Sequence, residues 1–229
     1  MNPGEYDRLA ELEEHYWWFV ARRRLALALL DRSLPQARRV LDIGCGTGAV
    51  LAELKLRGVE AVGLDASDLA LAYCAQRGLP SLLIGDGTKL PLASDRMDAE
   101  VGLDVFEHIE DDGAALREAF RVLRPGGVLV LSVPAFKWLW GPHDIALHHF
   151  RRYRRTEVRR VLPEAGFTVE RCSYSVPLLF PLVVFSRLLE KLRRGEPHAS
   201  LPRVPGALNR LLIGLQAFEA ALVTRFDLP

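Results

Sequence analysis

The sequence has little cysteine, methionine or lysine: three, two and four residues among 229. Cys45, Cys74 and Cys172 stand far apart, with no Cys-x-x-Cys pair and no Cys/His spacing of a zinc site. That excludes a disulfide framework and a zinc module, and it fits a reducing compartment. Lysine is so scarce that arginine carries nearly all the positive charge, which reads either as codon bias or as a preference for bidentate pairing and stacking. Long hydrophobic runs are also missing. The nearest candidate, residues 176–185, is followed by Arg187 and is about half the ~20 residues a spanning helix needs. Residues 1–14 are acidic and polar and do not read as a secretory signal, so a cytoplasmic protein is expected. Net charge is almost absent. Thirty Lys and Arg against 29 Asp and Glu leave +1, so bulk electrostatics gives no reason to expect a polyanionic partner. What is present, 49% apolar and 26% charged residues, describes a globular chain long enough to bury its own core.

From about residue 38 the pattern alternates strand and helix, which predicts a mostly parallel α/β sheet with helices on both faces. Arg39-Val40-Leu41-Asp42-Ile43 reads as a buried strand ending in a glycine-rich turn. A helix over residues 47–57 follows, with Val50, Leu51 and Leu54 on one face. Ala61-Val62-Gly63-Leu64-Asp65 is a second strand, and Ser67 caps the helix after it. Leu82-Leu83-Ile84 and residues 98–103 are the third and fourth strands. Asp111 or Asp112 caps a helix carrying Leu116, Phe120 and Leu123, which Arg124-Pro125-Gly126-Gly127 ends. Residues 128–133 form a fifth strand. Residues 156–165 read as a helix that Pro163 should kink or shorten, and residues 167–172 as a sixth strand. A Pro/Gly-rich linker over 195–206 leads to a last helix, about 207–225. Its apolar stripe is Leu208, Leu211, Leu212, Leu215, Phe218 and Leu222.

The turn Asp42-Ile43-Gly44-Cys45-Gly46-Thr47-Gly48 joins the first strand to the first helix of the sheet. Glycines there permit positive φ and close approach of backbone to a ligand at the helix N-terminus. Gly44, Gly46 and Ala49 satisfy the dinucleotide pattern G-x-G-x-x-G/A, which would suit NAD. Asp42 argues otherwise. A carboxylate two residues before the first glycine repels a pyrophosphate but suits a cationic end, an α-amino group or a sulfonium. S-adenosylmethionine carries both and has no phosphate. Asp65 can accept from ribose hydroxyls, and Asp86 from an adenine amino group.

Five stretches in order carry a family resemblance: residues 40–48, Gly63-Leu64-Asp65, Gly85-Asp86, residues 104–109, and Leu123-Arg124-Pro125-Gly126-Gly127. They resemble the ordered motifs of class I S-adenosylmethionine-dependent methyltransferases, specifically over residues 38–133 and loosely to 173. The resemblance implies a Rossmann-like methyltransferase fold, S-adenosylmethionine as cofactor and S-adenosylhomocysteine as product. It implies a cofactor set of Asp42, Gly44, Cys45, Gly46, Gly48, Asp65, Ala66, Asp86, Gly87 and Asp104. Residues 14–24, with Trp17 and Trp18, also resemble bacterial members whose N-terminal helix covers the cofactor. The aromatics would then exclude water, stack on adenine or touch substrate, or else anchor the helix to the core. Asp104-Val105-Phe106-Glu107-His108 resembles a stretch of quinone-precursor O-methyltransferases where a divalent metal has been implicated, but departs from it at Asp104, where a glutamate would be expected. No metal is expected here, and Asp104, Glu107 and His108 are the set that would hold one.

After the fifth strand comes a cluster with Trp138, His143, Asp144, His148, His149, Arg151, Arg152 and Tyr153. A neutral hydroxyl is a poor nucleophile, and a histidine can take its proton near neutral pH. His143 is the first choice as base, with His148, His149 and His108 behind it and Asp144 orienting it. Trp138, Arg151, Arg152 and Tyr153 are candidate substrate contacts. Residues 151–160 hold six arginines and one glutamate, either an anion site or a solvated, ion-paired face. Residues 176–194, apolar then basic, suit a membrane surface, a lipid-linked substrate's pocket, a homodimer interface or packing on the sheet.

These readings divide the chain into an N-terminal helical cap over residues 1–37, a methyltransferase core over 38–173 and a helical extension over 174–229. The expected function is methyl transfer to a hydroxyl on a small or lipophilic acceptor. An RNA methyltransferase, an NAD-linked oxidoreductase and a weakly catalytic docking protein are the alternatives, and no nucleic-acid partner is expected. A class I sheet usually has seven strands. Only six can be placed, which predicts a sheet edge left exposed or covered by a partner.

Overall fold

The computed structural model describes residues 3–192 and 204–226. Most of the expected linker, with Arg193 and Arg194, lies outside the described residues, as does the end of the chain from residue 227. Five strands form one parallel sheet: β1 (Arg39–Ile43), β2 (Glu60–Asp65), β3 (Leu82–Ile84), β4 (Met97–Leu103) and β5 (Leu123–Ser132). Their order is β3-β2-β1-β4-β5. The chain winds outward in one direction from β1 and in the other from β4. The connections on either side of that switch point leave a crevice at the carboxyl ends of β1 and β4, where α/β proteins bind ligands.

Side chains alternate across β1, and that alternation sorts the core into two layers. Val40, with Ala99 and Val101 of β4, packs under Ala26, Leu27 and Leu30 of α2 (Trp17–Ser33) and Val50 and Leu54 of α3 (Ala49–Leu56). Leu41 and Ile43 face the opposite layer, built by Leu116 and Ala119 of α5 (Asp112–Val122) and Leu162 of α7 (Arg155–Glu164). Helix α2 is therefore part of the core. Its predecessor α1 (Pro3–Leu12) lies beside α4 (Asp68–Gln76), whose cap Ser67 accepts from the Ala70 amide at 3.4 Å. The short α6 (Pro142–Ala146), then α8 (Phe180–Leu192) and α9 (Gly206–Val223), complete the described elements.

Several expectations change. On α5 the inward face is Ala115, Leu116, Ala119 and Val122, while Phe120 is half exposed and rests edge-on against Phe167. Leu123 belongs to β5. Residues 124–127 loop out of the ladder, so that Met97 pairs with Leu123 but Ala99 with Val128, and Gly126 has φ +77°. Helix α7 tolerates Pro163 because the proline falls in its last turn, one residue before the helix ends at Glu164.

Residues 167–172 do not form a sixth strand. Phe167 and Val169 turn toward the α5/α7 core, and the Arg171 guanidinium donates to the Val223 carbonyl at the end of α9. The segment is thus drawn away from β5. No seventh strand occurs among the described residues, and the outer side of β5 faces an open cleft.

The stripe expected to seat α9 is largely inverted. Of its six residues Leu212 alone is buried. The helix packs inward through Leu212, Gln216, Glu219 and Val223, leaving Leu208, Leu211 and Phe218 in water. Burial at Leu27 and exposure at Phe218 give opposite expectations. Leu27→Ala should lower unfolding stability by about 3 kcal/mol through lost transfer energy and a cavity. Phe218→Ala should change it by less than about 0.5 kcal/mol. Urea melts of the two variants check both.

Candidate active site

The turn after β1 shows how the glycines work. Gly44 has φ +67° and Gly46 +54°, the left-handed region that other residues avoid. A Cβ on Gly44 would stand 2.4 Å from Val105 Cγ2, so this glycine also lets β1 approach the loop after β4. Gly46 is more open, its nearest neighbour being Leu9 Cδ2 of α1 at 3.4 Å. Gly48 caps α3 and packs against Cys74 and Leu79, without lining the cleft. The amides of Gly44 and Cys45 donate to the Leu64 carbonyl, at 2.8 and 3.0 Å. The Gly46 amide donates to Asp65 Oδ2 at 2.9 Å, and the Ser67 amide to Asp65 Oδ1 at 2.9 Å. These amides are engaged within the protein and do not form an anion cradle for a pyrophosphate.

Carboxyl groups line the crevice instead. Asp42 is almost wholly buried, its Oδ2 has no hydrogen-bond partner, and burial holds its carboxyl well above the usual carboxylate range. Asp65 and Asp86 stand at the ends of β2 and β3, with Ala66 and Gly87 beside them on the cleft wall. Asp86 is exposed and accepts from the Thr88 amide at 2.8 Å. Asp104 follows β4 with φ +53°, a strained conformation for an aspartate, and accepts from Ser132 Oγ at 2.8 Å.

Two side chains that the sequence reading missed complete this half. Arg22 of α2 pairs with Asp104 and lies in the field of Glu107 and Asp42. Burial lowers it to about 10. Nothing in the sequence separates Arg22 from Arg23 and Arg24. Glu13, between α1 and α2, accepts from Thr47 Oγ1 at 2.5 Å and pairs with Arg77 at 2.6 Å. It fastens the N-terminal helices over the glycine turn. Tyr6, Leu9 and Tyr16 line the cleft there, together with Trp17 and Trp18.

The segment after β5 is organised by Asp144, which is fully buried. It accepts from Arg152 Nε at 2.7 Å, from the Gly141 amide at 2.9 Å and from His149 Nδ1 at 3.0 Å. Burial opposes its ionisation, but the hydrogen bonds from His149 and Arg152 outweigh burial and hold it well below the usual range. The oriented histidine is therefore His149. His143, the first choice, has a buried and unpartnered Nδ1, and burial with Arg187 nearby pushes it down to about 3. His148 is exposed and lies off the cleft. His108 stacks edge-on with His149, ring centres 4.5 Å apart, and burial lowers it to about 4.

The remaining candidates divide. Arg152 and Tyr153 are buried struts: Arg152 also donates to the Ala135 carbonyl at 3.0 Å, and Tyr153 Oη donates to Asp112 at 2.7 Å. Arg151 pairs with Asp112 at 2.6 Å and Trp138 is half exposed, both off the cleft. The aromatic wall is built instead by Phe136, Tyr174 and Phe180, with Phe136 stacked on Tyr174 at 4.8 Å. Asp104 is turned to Arg22 and Ser132, away from the expected metal set. Among the described residues the donor atoms of Glu107, His108 and His149 lie within 4.8 Å of one another. Glu107 is fully buried with both oxygens unpartnered, and burial raises it to about 8. Asp42, Asp65 and Asp86, the His108–His149 pair and the aromatic wall line one continuous cleft of ≈3090 Å³.

Fold and site together define a class I methyltransferase domain, and the comparisons agree. Residues 41–131 match the methyltransferase domain family. A probable S-adenosylmethionine-dependent methyltransferase of Mycolicibacterium smegmatis is 34% identical over 168 residues, 69% of this chain and 62% of that protein. A demethylmenaquinone methyltransferase of Mycolicibacterium paratuberculosis is 36% identical over 119 residues, 52% of this chain and 48% of its own. The chain thus spans about half to three fifths of the length of these curated relatives. An S-adenosylmethionine-dependent methyltransferase from Thermotoga maritima superposes with TM-score 0.58 at 24% identity, covering 72% of this chain and 78% of that one. One from Aquifex aeolicus gives 0.56 at 22%, covering 75% and 91%. These two establish the fold.

S-adenosylmethionine is the cofactor of this class, and the residues present fit it. Asp42, orphaned and buried, suits the cationic methionine end, and Asp65 suits ribose hydroxyls. Two outcomes follow. Asp42→Asn should weaken S-adenosylmethionine binding at least about tenfold by calorimetry, the scale of one charge-assisted hydrogen bond. Glu107→Gln addresses pH. A carboxyl raised from 4.5 to about 8 by burial keeps its proton in the folded state while the unfolded state loses it. Stability therefore falls as pH rises through that window. The variant should flatten the fall when melts are compared across it.

Proposed function

We propose that this protein transfers the methyl group of S-adenosylmethionine to a hydroxyl on a small, lipophilic acceptor, with His149 receiving the proton. The observation that carries this reading is the Asp144–His149 hydrogen bond on the cleft wall beside the end of β4. Asp144 accepts a hydrogen bond from the Nδ1–H of His149, which leaves Nε2 as the basic atom. The sulfonium supplies an activated methyl: the new O–C bond forms as the S–C bond breaks, the electron pair staying on sulfur. The protein's part is mostly positioning, and the histidine prevents charge building up on the acceptor oxygen. An acidic crevice holds the cofactor's cationic end, and the aromatic wall of Phe136, Tyr174 and Phe180 shelters an apolar acceptor. A relative named for demethylmenaquinone favours a lipophilic acceptor as well. In this reading residues 1–37 cover the cofactor, 38–173 form the core and 174–229 flank the acceptor side. The RNA alternative loses its main support, because Arg151, Arg152 and Arg160 are engaged with Asp112, Asp144 and Glu164.

The test supplies methyl-labelled S-adenosylmethionine and an extract of the source cells, then partitions the product. Label in the organic phase is expected. Label confined to RNA or protein would overturn the reading. His149→Gln should lower kcat by about 10²–10⁴-fold with cofactor affinity unchanged, while His148→Gln should leave kcat as it is.

A further inference from the structure

Helix α9 is inside out. Its polar side chains point into the domain, where Glu219 is 2% exposed and accepts from the Leu178 amide, and Gln216 donates to Glu219. Its apolar side chains point into water: Leu211 is 67% exposed and Phe218 58%. Between Ala207 and Leu222 the outward side carries one charged residue, Arg210, and Arg225 stands beyond the far end. A water-facing helix normally shows the reverse. Helix α8 continues the theme, with Leu182, Phe185 and Leu188 exposed.

We propose that α9, with the first turns of α8, docks this protein on an anionic lipid surface and lies in the plane of the interface. Three observations select a lipid surface over other occupants. The first is charge. Residues 174–229 hold seven basic and four acidic residues, a surplus of three positive charges. Residues 1–173 hold 23 and 25, a surplus of two negative charges. Among the described residues Arg210 and Arg225 flank the exposed apolar face of α9 while the acid of that helix, Glu219, is buried, so anionic headgroups would attract that face.

The second concerns a second copy of the chain. Leu208, Leu211, Leu215, Phe218 and Leu222 have coiled-coil spacing, but the positions flanking that seam are Leu212, Gly214, buried Glu219 and Ala221. The exposed charges that set partner and register in a coiled coil are missing there.

The third concerns orientation. Residues 206–223 are long and apolar enough to cross a bilayer. Yet the helix is tied to the domain at both ends. Asn209 accepts from the Trp17 amide at 2.9 Å and donates to the His15 carbonyl at 2.7 Å, and Arg171 donates to the Val223 carbonyl at 3.0 Å. Crossing would break these ties, whereas lying flat keeps them.

The exposed Leu182 and Leu208 also line the cleft, so the docked face opens toward the acceptor side. Delivery of a membrane-dissolved acceptor through that opening rests on the methyl-transfer reading; docking itself does not.

The test is cosedimentation of the full chain with vesicles of equal parts phosphatidylcholine and phosphatidylglycerol, and with phosphatidylcholine alone. Binding to the mixed vesicles, weaker on phosphatidylcholine and falling with salt, is expected. Leu211→Ser with Phe218→Ser should reduce partitioning at least about tenfold, the effect of withdrawing two apolar side chains from an interface. Its circular-dichroism melt and cofactor affinity should match the parent. Arg210→Glu with Arg225→Glu should weaken binding on the anionic vesicles only. The proposal fails if the parent stays in the supernatant with both vesicles, or if the serine variant pellets like the parent. It also fails if the parent is a dimer by light scattering that the serine variant splits, with no vesicle binding. Cofactor binding and methyl transfer measured without vesicles report separately on the methyl-transfer reading.

Discussion

The amides of Gly44, Cys45 and Gly46 all hydrogen-bond to the end of β2, at the Leu64 carbonyl and the Asp65 carboxylate. Much of the site follows from that constraint. A turn whose donors are engaged internally has little to offer a phosphate. Its polarity comes instead from the carboxyl groups that the parallel strands bring to their carboxyl ends. Asp42 is desolvated because β1 is the central strand, and a buried carboxyl without a partner calls for a cation. In the described structure Arg22 supplies part of that positive field from α2. The N-terminal helices thus belong to the electrostatics of the crevice as well as to its roof.

The segment after β5 rests on a second buried carboxylate. Asp144 ties α6 to Arg152 and holds His149, so one residue both anchors the loop after β5 and orients one of the histidines on the cleft. Glu107 sits behind that pair without a partner of its own. Its neighbours Arg22 and Arg152 are too few to offset burial, which is why its carboxyl keeps a proton far above the usual range. Two carboxyls that act on each other, Glu107 raised and Asp144 lowered, have their acid and base behaviour divided by environment.

Beyond β5 the domain is finished by helices instead of strands. Residues 167–172 have strand-like composition, but a strand needs a ladder, and their contacts lead to the α5/α7 core and to α9. The cleft along β5 and the apolar outer faces of α8 and α9 are two consequences of the same ending.

The order of strands and helices, the glycine turn and the acids at the strand ends were legible from the sequence. They depend on local periodicity, on positive φ and on residues adjacent to a strand terminus. The sequence by itself determined the parallel-sheet core and the acids at its strand ends. Only the tertiary structure decided which histidine meets Asp144, that Arg22 and Glu13 enter the crevice, and which face of α9 is inward. A periodic stripe shows that a helix has an apolar side, but not what that side will meet. Pairing between residues 5 to 100 positions apart is set by how layers pack, and a single sequence records no distance between layers. In α9 the polar residues won the interior because Glu219 and Asn209 found backbone partners there. The apolar stripe, which no described residue covers, was left outside.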